Sequence, residues 1–256
     1  MSHPMSDFDG NSVIKVDAFA GAEHTEVARR HTPATSIVGK DFLCDADVKA
    51  GDVQGLNGLV TNISTSAALI VIDVQKGFDD PYWGPTTNPE CESNIAKLVS
   101  AWESTSRPIV VVRHDSGNVD SPLHPNNPGN ESKSVVAEVK PDFLVTKSVN
   151  SAFIGTPDLH TWLSQRGIKE IVLCGIQTNM CVETTARMGG NLGYNVIVPL
   201  DATRTFDLTG PSVDGVPLTA PASELMRTTA INLQGGGFAQ VTTTDALLQT
   251  VNRQTP

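Results

Sequence analysis

The sequence lacks any apolar run of the roughly 20 residues that a membrane-spanning helix requires. Its first residues, MSHPMSDFDGNSVIKVD, show no positively charged segment followed by an apolar one, so no secretory signal is visible. Basic residues are scarce as well, because 18 Lys and Arg stand against 28 Asp and Glu, and they form no cluster. We therefore expect a cytoplasmic protein that binds neither nucleic acid nor a membrane.

Cysteine is the second scarce residue. The four cysteines, at positions 44, 91, 174 and 181, have neither the paired spacing of a zinc site nor the density of a disulfide scaffold. This usage fits a reducing compartment, and it leaves each cysteine to be judged by its own surroundings.

Apolar residues are also thin in the first quarter of the chain. Residues 1–66 show no hydrophobic period, which predicts a partly ordered N-terminal extension or arm that wraps the domain or a second subunit. A disordered tail is the alternative. From residue 67 to about residue 250, short β-branched runs alternate with helix-like segments, which predicts one α/β domain with a mostly parallel sheet between helices.

Three ionisable residues, Asp73, Lys147 and Cys181, each stand just after a predicted strand. Parallel sheets bind ligands at the carboxyl ends of their strands, so these side chains are expected to share one edge. A cysteine nucleophile needs a base for its proton, and a nearby cation favours the anionic forms of both groups. Each residue also has a structural alternative, since Asp73 could cap a turn and Cys181 could be a buried core residue.

The segment around Cys181 predicts a helix that starts near this residue and ends near Gly193. The free backbone N–H groups of a first helical turn favour thiolate over thiol, so we expect a sulfur that is nucleophilic near neutral pH. Three small residues, Ala186, Gly189 and Gly190, would allow this helix to lie close against the sheet.

Three sequence blocks carry a resemblance to a known family. IVIDVQKGF at 70–78, Lys147 with SAFIGT at 151–156, and GIQTNMCVETTAR at 175–187 together resemble the isochorismatase-like cysteine hydrolase superfamily, over about residues 67–250. The resemblance implies a Rossmann-like three-layer sandwich whose mostly parallel six-stranded sheet has the order 3-2-1-4-5-6. It also implies a homo-oligomer, either a dimer or a tetramer.

The same resemblance assigns roles to residues. Asp73 would be the general base, Lys147 the charge-holding residue that orients it, and Cys181 the nucleophile. The backbone N–H groups of Gln177 and Cys181 would form the oxyanion hole, and the bond between Ile176 and Gln177 would be a cis peptide.

The implied reaction is hydrolysis of a C–N bond in a small amide, ureido compound or imide, through a thioester. The nicotinamidase branch of the family holds a metal with an Asp-x-His pair and a further histidine, but residues 79–92 contain no histidine, so we expect neither metal nor cofactor. Four other residues match no regular ligand spacing, namely His114, Asp115, Asp120 and His124. The alternatives are vinyl-ether hydrolysis of the isochorismatase type, which does not need the thiol, a non-catalytic oligomeric binding scaffold, and redox sensing by Cys181.

Substrate contacts are predicted from residues near the three blocks. Four aromatic residues would form a wall around a small planar substrate, with core packing as the alternative for each: Phe78, Tyr82, Trp83 and Phe153. Gln75 and His114 are also predicted to contact substrate. The long connections at 115–141 and 203–222 are expected to set specificity.

Overall fold

The structure, a computed structural model, describes residues 62–253. The predicted arm over residues 1–66 therefore lies almost wholly outside the described residues, and so does Cys44. No helix among residues 62–253 combines the length and the apolar character needed to cross a membrane.

Strands and helices alternate along the described chain. The strands are β1 (Ala68–Ile72), β2 (Ile109–His114), β3 (Phe143–Lys147), β4 (Glu170–Ile176), β5 (Asn195–Pro199), β6 (Thr203–Arg204), β7 (Leu208–Val213), β8 (Val216–Ala220) and β9 (Gln240–Thr242). The α-helices are α1 (Cys91–Ser104), α2 (Ser134–Ala137), α3 (Leu159–Gln165), α4 (Glu183–Asn191), α5 (Ala222–Gly235) and α6 (Thr244–Asn252).

Six of these strands pair in parallel in the order β3-β2-β1-β4-β5-β9, and β6 pairs with the carboxyl end of β4. The predicted α/β sandwich and its strand order are confirmed, with β9 as the sixth strand and the short β6 as an addition. The chain leaves β1 toward β2 on one side, and β4 joins β1 on the other side. The carboxyl ends of β1 and β4 therefore flank a switch point, where open parallel sheets bind ligands.

Burial explains why the central strands hold their register. Every residue of β1 is buried, and its side chains alternate between two apolar clusters, with Ile70 and Ile72 in one and Leu69 and Val71 in the other. The first cluster includes residues of α3, α4 and α5, and the second includes residues of α1, α2 and α6. Helices thus cover both faces of the sheet, which accounts for the continuous apolar runs in the sequence.

Two details differ from the sequence analysis. The long connection at 203–222, in which no strand was predicted, contains β6 and the antiparallel hairpin of β7 and β8. Most residues of this hairpin are exposed and each of its strands contains a proline, so the alternation that normally predicts a strand is missing. In addition, Cys181 lies in a π-helical turn, Thr178–Val182, and the α-helix itself begins at Glu183.

The close packing predicted for the helix after Cys181 has two different causes. A Cβ atom on Gly189 would lie 3.2 Å from the side chains of Ile171 and Val196, so this glycine does face the sheet. A Cβ atom on Gly190 would lie 2.7 Å from the carbonyl oxygen of Phe238, in the loop before β9. Gly189 therefore allows close packing of the helix against the sheet, and Gly190 allows close packing against the loop before β9.

Candidate active site

Asp73 stands at the end of β1 and opens the candidate site. Its backbone adopts the left-handed conformation, with φ 53°, which aspartate tolerates better than most residues do. Its N–H donates to the carbonyl of Val112 at 2.9 Å, and its side chain is fully buried. The backbone therefore holds one carboxylate at the carboxyl end of the central strand.

The end of β4 lies against the end of β1 because residue 175 is glycine. Gly175 has φ 122°, and a Cβ atom there would lie 2.0 Å from the carbonyl oxygen of Ile72. One residue further along, the peptide bond between Ile176 and Gln177 is cis. The carbonyl of Gln177 then accepts the N–H of Val182 at 3.1 Å, an i to i+5 bond that closes the π-helical turn around Cys181.

The ammonium group of Lys147, at the end of β3, connects the other polar groups. Its Nζ donates to Asp73 Oδ2 at 2.6 Å and to Cys181 Sγ at 3.3 Å, and it lies 3.2 Å from Nδ1 of His114. An ammonium group has three donors, so these contacts use its full capacity. The side chains of Lys147 and Asp73 are both 0 % exposed, and water therefore does not screen this ion pair.

Burial sets the protonation of these groups. Burial raises the pKa of the Cys181 thiol to about 12. The negative charge of Asp73 raises this pKa further, and the positive charge of Lys147 lowers it by less. Burial also raises the pKa of Asp73, although the Lys147 ammonium opposes it. For Lys147 burial lowers the pKa, but the negative groups of Asp73 and Cys181 outweigh it and the net shift is upward. The upward shift of the Cys181 pKa favours a resting thiol and is opposite in direction to the low-pKa thiolate that was predicted, because burial is the largest cause of the shift.

His114, at the end of β2, has the opposite shift. Burial and the adjacent Lys147 ammonium lower the pKa of its imidazole, so the ring is neutral at pH 7. Because Lys147 donates to Nδ1, the ring proton lies on Nε2. His114 can therefore offer a neutral N–H donor to a bound molecule.

One group of possible metal ligands occurs here among the described residues. An oxygen of Asp73, a ring nitrogen of His114 and the Cys181 sulfur all lie within 4.8 Å of one another. The Lys147 Nζ contacts all three residues, however, so an ammonium group already takes the place that a cation would need. This arrangement does not fit a metal ion, since burying a second positive charge beside Lys147 would be unfavourable.

A cavity of about 450 Å³ opens onto these groups. Three rings on one side pack together, with centroid distances of 4.9 Å from Phe78 to Trp83, 5.9 Å from Phe78 to Phe206 and 5.8 Å from Trp83 to Phe206. Tyr82 packs edge-on against Trp83 and is 61 % exposed, which places it at the mouth. Of the predicted substrate contacts, the cavity wall contains Phe78, Tyr82, Trp83 and His114.

Two predicted substrate contacts lie elsewhere. Gln75 is buried, and its side-chain amide exchanges hydrogen bonds with the backbone of His114 and donates to the carbonyl of Asn130. It therefore fixes the end of β2 and does not line the cavity. Phe153 is in the apolar core, where it stacks on Tyr194 at 5.6 Å. Its position after β3 suggested the site, but its ring points into the helix layer.

The cavity wall also contains residues that the sequence analysis did not name individually: Leu123, Asn150, Met180, Phe206, Asp207 and Leu208. Four of them lie in the connections at 115–141 and 203–222, from which specificity contacts were expected. Asn150 follows β3 by three residues, and its Oδ1 lies 3.9 Å from Cys181 Sγ. The side chain of Gln177 belongs to this group too, because it lines the cavity and its buried Oε1 has no hydrogen-bond partner among the described residues. Position after a strand was the available signal for Asn150, whereas β6 had to be known before Phe206 and Asp207 could be placed.

The geometry can be compared with known proteins. The sequence model of the isochorismatase domain matches residues 67–245, which is well over half of the chain. The chain belongs to the isochorismatase family. The family match, together with similar proteins that are named as hydrolases, shows that the chain is a hydrolase.

Several similar proteins have names that bear on activity. The isochorismatase family protein YrdC of Bacillus subtilis is 40% identical over 55% of this chain and 75% of its own length. A streptothricin hydrolase of Streptomyces noursei is 30% identical over 61% of this chain and 60% of its own. Nicotinamidase 3 of Arabidopsis thaliana is 32% identical over 56% of this chain and 76% of its own.

Solved structures agree with the fold. A protein of the isochorismatase family from Chromobacterium violaceum superposes with TM-score 0.67 at 35% identity, covering 74% of this chain and 95% of its own. A cysteine hydrolase from Pseudomonas syringae pv. phaseolicola superposes with TM-score 0.66 at 29% identity, covering 75% of this chain and 95% of its own.

Proposed function

We propose that this isochorismatase-family hydrolase is a metal-independent cysteine hydrolase that cleaves a C–N bond of a small amide, ureido compound or imide through a thioester. One observation carries the proposal. Asp73 Oδ1 is fully buried without a hydrogen-bond partner among the described residues, while Oδ2 is bound by Lys147 and the Cys181 thiol lies close by. A buried oxygen of this kind is normally paired, so its open lone pairs suit a proton acceptor.

The first half-reaction begins with the thiol. The S–H proton of Cys181 moves to Asp73 Oδ1 as the sulfur bonds to the substrate carbonyl carbon and the C=O π pair moves onto oxygen. The backbone N–H groups of Gln177 and Cys181 are the expected donors to this oxyanion, each contributing about 3–4 kcal/mol of transition-state stabilisation. As the C=O bond re-forms, the C–N bond breaks and the leaving nitrogen takes the proton from Asp73.

The second half-reaction returns the enzyme to its starting state. Water gives a proton to Asp73 and adds to the thioester carbonyl carbon. The C–S bond then breaks, and the sulfur recovers its proton from Asp73 as the carboxylic acid leaves. Lys147 keeps its own proton throughout, because its raised pKa holds the ammonium that orients Asp73 Oδ2 at 2.6 Å.

Two further observations support this reaction class. The cavity volume of about 450 Å³ is in the range of small-molecule sites, and its aromatic side would pack against a planar substrate. Two relatives are named streptothricin hydrolase and nicotinamidase 3, and a solved neighbour is named a cysteine hydrolase. Assembly into a dimer or tetramer, cytoplasmic location and a single domain over residues 67–250 remain part of the proposal.

The test is a hydrolysis screen over small amides, ureido acids and imides that measures the release of ammonia or amine. We expect Cys181→Ala and Asp73→Asn to lower kcat by at least about 10³-fold, since both remove the transfer of the thiol proton to a base. Cys174→Ala is the matched control, because Cys174 is buried in the cluster on the other face of the sheet. Intact-mass spectrometry after an acid quench should show an acyl adduct that requires Cys181.

The outcomes separate the alternatives. Turnover of an amide that survives both substitutions would contradict the mechanism. Hydrolysis of a vinyl ether that persists in Cys181→Ala, with no amide turned over, would instead favour the isochorismatase-type reaction. No turnover in a broad screen, together with tight binding of a small molecule, would favour a binding scaffold.

A further inference from the structure

The charge on the cavity wall is one-sided. Of the described residues that line it, two carry a formal charge at neutral pH, and both are carboxylates, Asp73 and Asp207. The charge of Asp73 is balanced by the Lys147 ammonium at 2.6 Å. Asp207 thus leaves the cavity with a net negative charge and no cation for an anionic substrate.

Asp207 lies at the mouth of the cavity, beside the aromatic side. Its N–H donates to the carbonyl of Pro85 at 2.9 Å, which joins it to the segment that carries Tyr82 and Trp83. One carboxylate oxygen, Oδ1, accepts the N–H of Ala222 at the start of α5, at 2.7 Å. Oδ2 has no partner among residues 62–253, and the residue is exposed to solvent. One oxygen is therefore structural and the other is free to bind.

The basic residue nearest to Asp207 along the chain is already engaged. Arg204 lies three residues before Asp207, and its Nη1 donates to Glu92 Oε1 at 2.8 Å. Arg113, next to His114, likewise binds Asp115 through two hydrogen bonds of 2.8 and 3.0 Å. Both charges are matched by carboxylates and do not compensate Asp207. Aromatic faces attract cations as well, and an indole is the strongest of the side-chain rings in this respect.

We propose that Asp207 is a specificity-determining residue, which together with Tyr82 and Trp83 selects substrates that carry a cationic group near the scissile C–N bond. The same carboxylate would reject substrates with a carboxylate at that position. This inference rests on the proposed function, because it names the substrate class of the same site.

Three matched probes test the proposal: para-aminomethylbenzamide, para-methylbenzamide and para-carboxybenzamide. Their affinities are measured by calorimetry on Cys181→Ala protein, which binds without turnover, and their hydrolysis by the unmodified enzyme is followed by ammonia release. We expect the ammonium probe to bind about 5-fold more tightly than the methyl probe, and the carboxylate probe more weakly than either. The preference should shrink as salt rises.

Substitutions then assign the preference to one residue. Asp207→Asn retains an oxygen for the N–H of Ala222 and should reduce the ammonium preference about 3-fold, while Asp207→Lys should reverse it. Asp214→Asn is the control, because it removes one charge from the turn of the β7–β8 hairpin, outside the cavity wall. It should leave the preference unchanged.

Failure of this inference differs from failure of the proposed function. Equal affinity for the three probes, binding by none of them, or a preference that Asp207→Asn leaves intact would overturn the role of Asp207. The absence of Cys181-dependent hydrolysis, with the charge preference still present in binding, would contradict the cysteine mechanism and leave the selectivity standing.

Discussion

Replacing Lys147 by methionine tests the buried ion pair on which the site depends. The substitution keeps a long side chain but leaves the Asp73 carboxylate at 0 % exposure without its partner. Removing one member of a buried pair typically destabilises a protein by about 3–5 kcal/mol. For a domain of this size that corresponds to a fall of roughly 6–20 °C in the midpoint of thermal unfolding.

The defect should depend on pH in a defined direction. Without the ammonium, the pKa of Asp73 rises further above its ordinary value, because burial already raises it and Lys147 is the main opposing group. Because folding raises its pKa, Asp73 favours the folded state when it is protonated. This contribution to the free energy of unfolding is lost as the pH rises through the pKa that Asp73 has in the folded protein. Lys147→Met should therefore be least destabilised near pH 5 and most destabilised near pH 8.

Urea unfolding at both pH values measures the effect, and Lys76→Met is the control. Lys76 pairs with Glu131 at 2.5 Å, but the two side chains are 54% and 68% exposed, so its loss should leave the free energy of unfolding nearly unchanged. The double variant with Asp73→Asn should recover part of the loss, and asparagine suits φ 53° at that position. If Lys147→Met were as stable as the unmodified protein at both pH values, the reasoning on this pair would be refuted.

Three other predictions concern the same edge of the sheet. Gly175→Ala should prevent folding or sharply lower the thermal midpoint, since its Cβ would lie 2.0 Å from the Ile72 oxygen, whereas Gly117→Ala meets nothing within 4 Å and should be tolerated. Alkylation of Cys181 by iodoacetamide, followed by peptide mass spectrometry, should be slow at pH 7 and rise about tenfold per pH unit toward pH 12; fast labelling at pH 7 would contradict a buried thiol. The acid limb of kcat/KM should lie above 3.8, because the base Asp73 has a raised pKa and activity is lost as it is protonated; a limb at or below 3.8 would contradict this.

The central sheet was predictable because its strands are buried on both faces. Continuous apolar runs such as those of β1 and β4 are typical of strands in a parallel sheet that is covered by helices on both faces. The positions of Asp73 and Lys147 followed directly, since a residue at the carboxyl end of a parallel strand must lie at one edge. Their mutual contact at 2.6 Å depends on strand order, which the family resemblance implied.

The parts that the sequence did not predict are governed by tertiary contacts. Phe153 and Phe78 are both aromatic residues close to the three blocks, yet one packs on Tyr194 and the other lines the cavity. The residues next to Phe78 and Phe153 in the sequence do not indicate which of the two rings faces the cavity.

The β7–β8 hairpin, in contrast, did have a local signal. Asp214 and Gly215 form its turn with φ 51° and 78°, and an Asp-Gly pair is typical of such turns.

The protonation of Cys181 links burial to the proposed mechanism. A pKa of about 12 leaves very little thiolate at pH 7, so a reaction that required a preformed thiolate would be slow. The open Oδ1 of Asp73 removes this requirement, because the proton can leave the sulfur during attack. The same burial that suppresses the thiolate keeps water from screening the Lys147 ammonium and the oxyanion donors. A buried thiol with a base beside it can therefore react with a bound carbonyl although little thiolate is present, and Asp73→Asn should be nearly as damaging to turnover as Cys181→Ala.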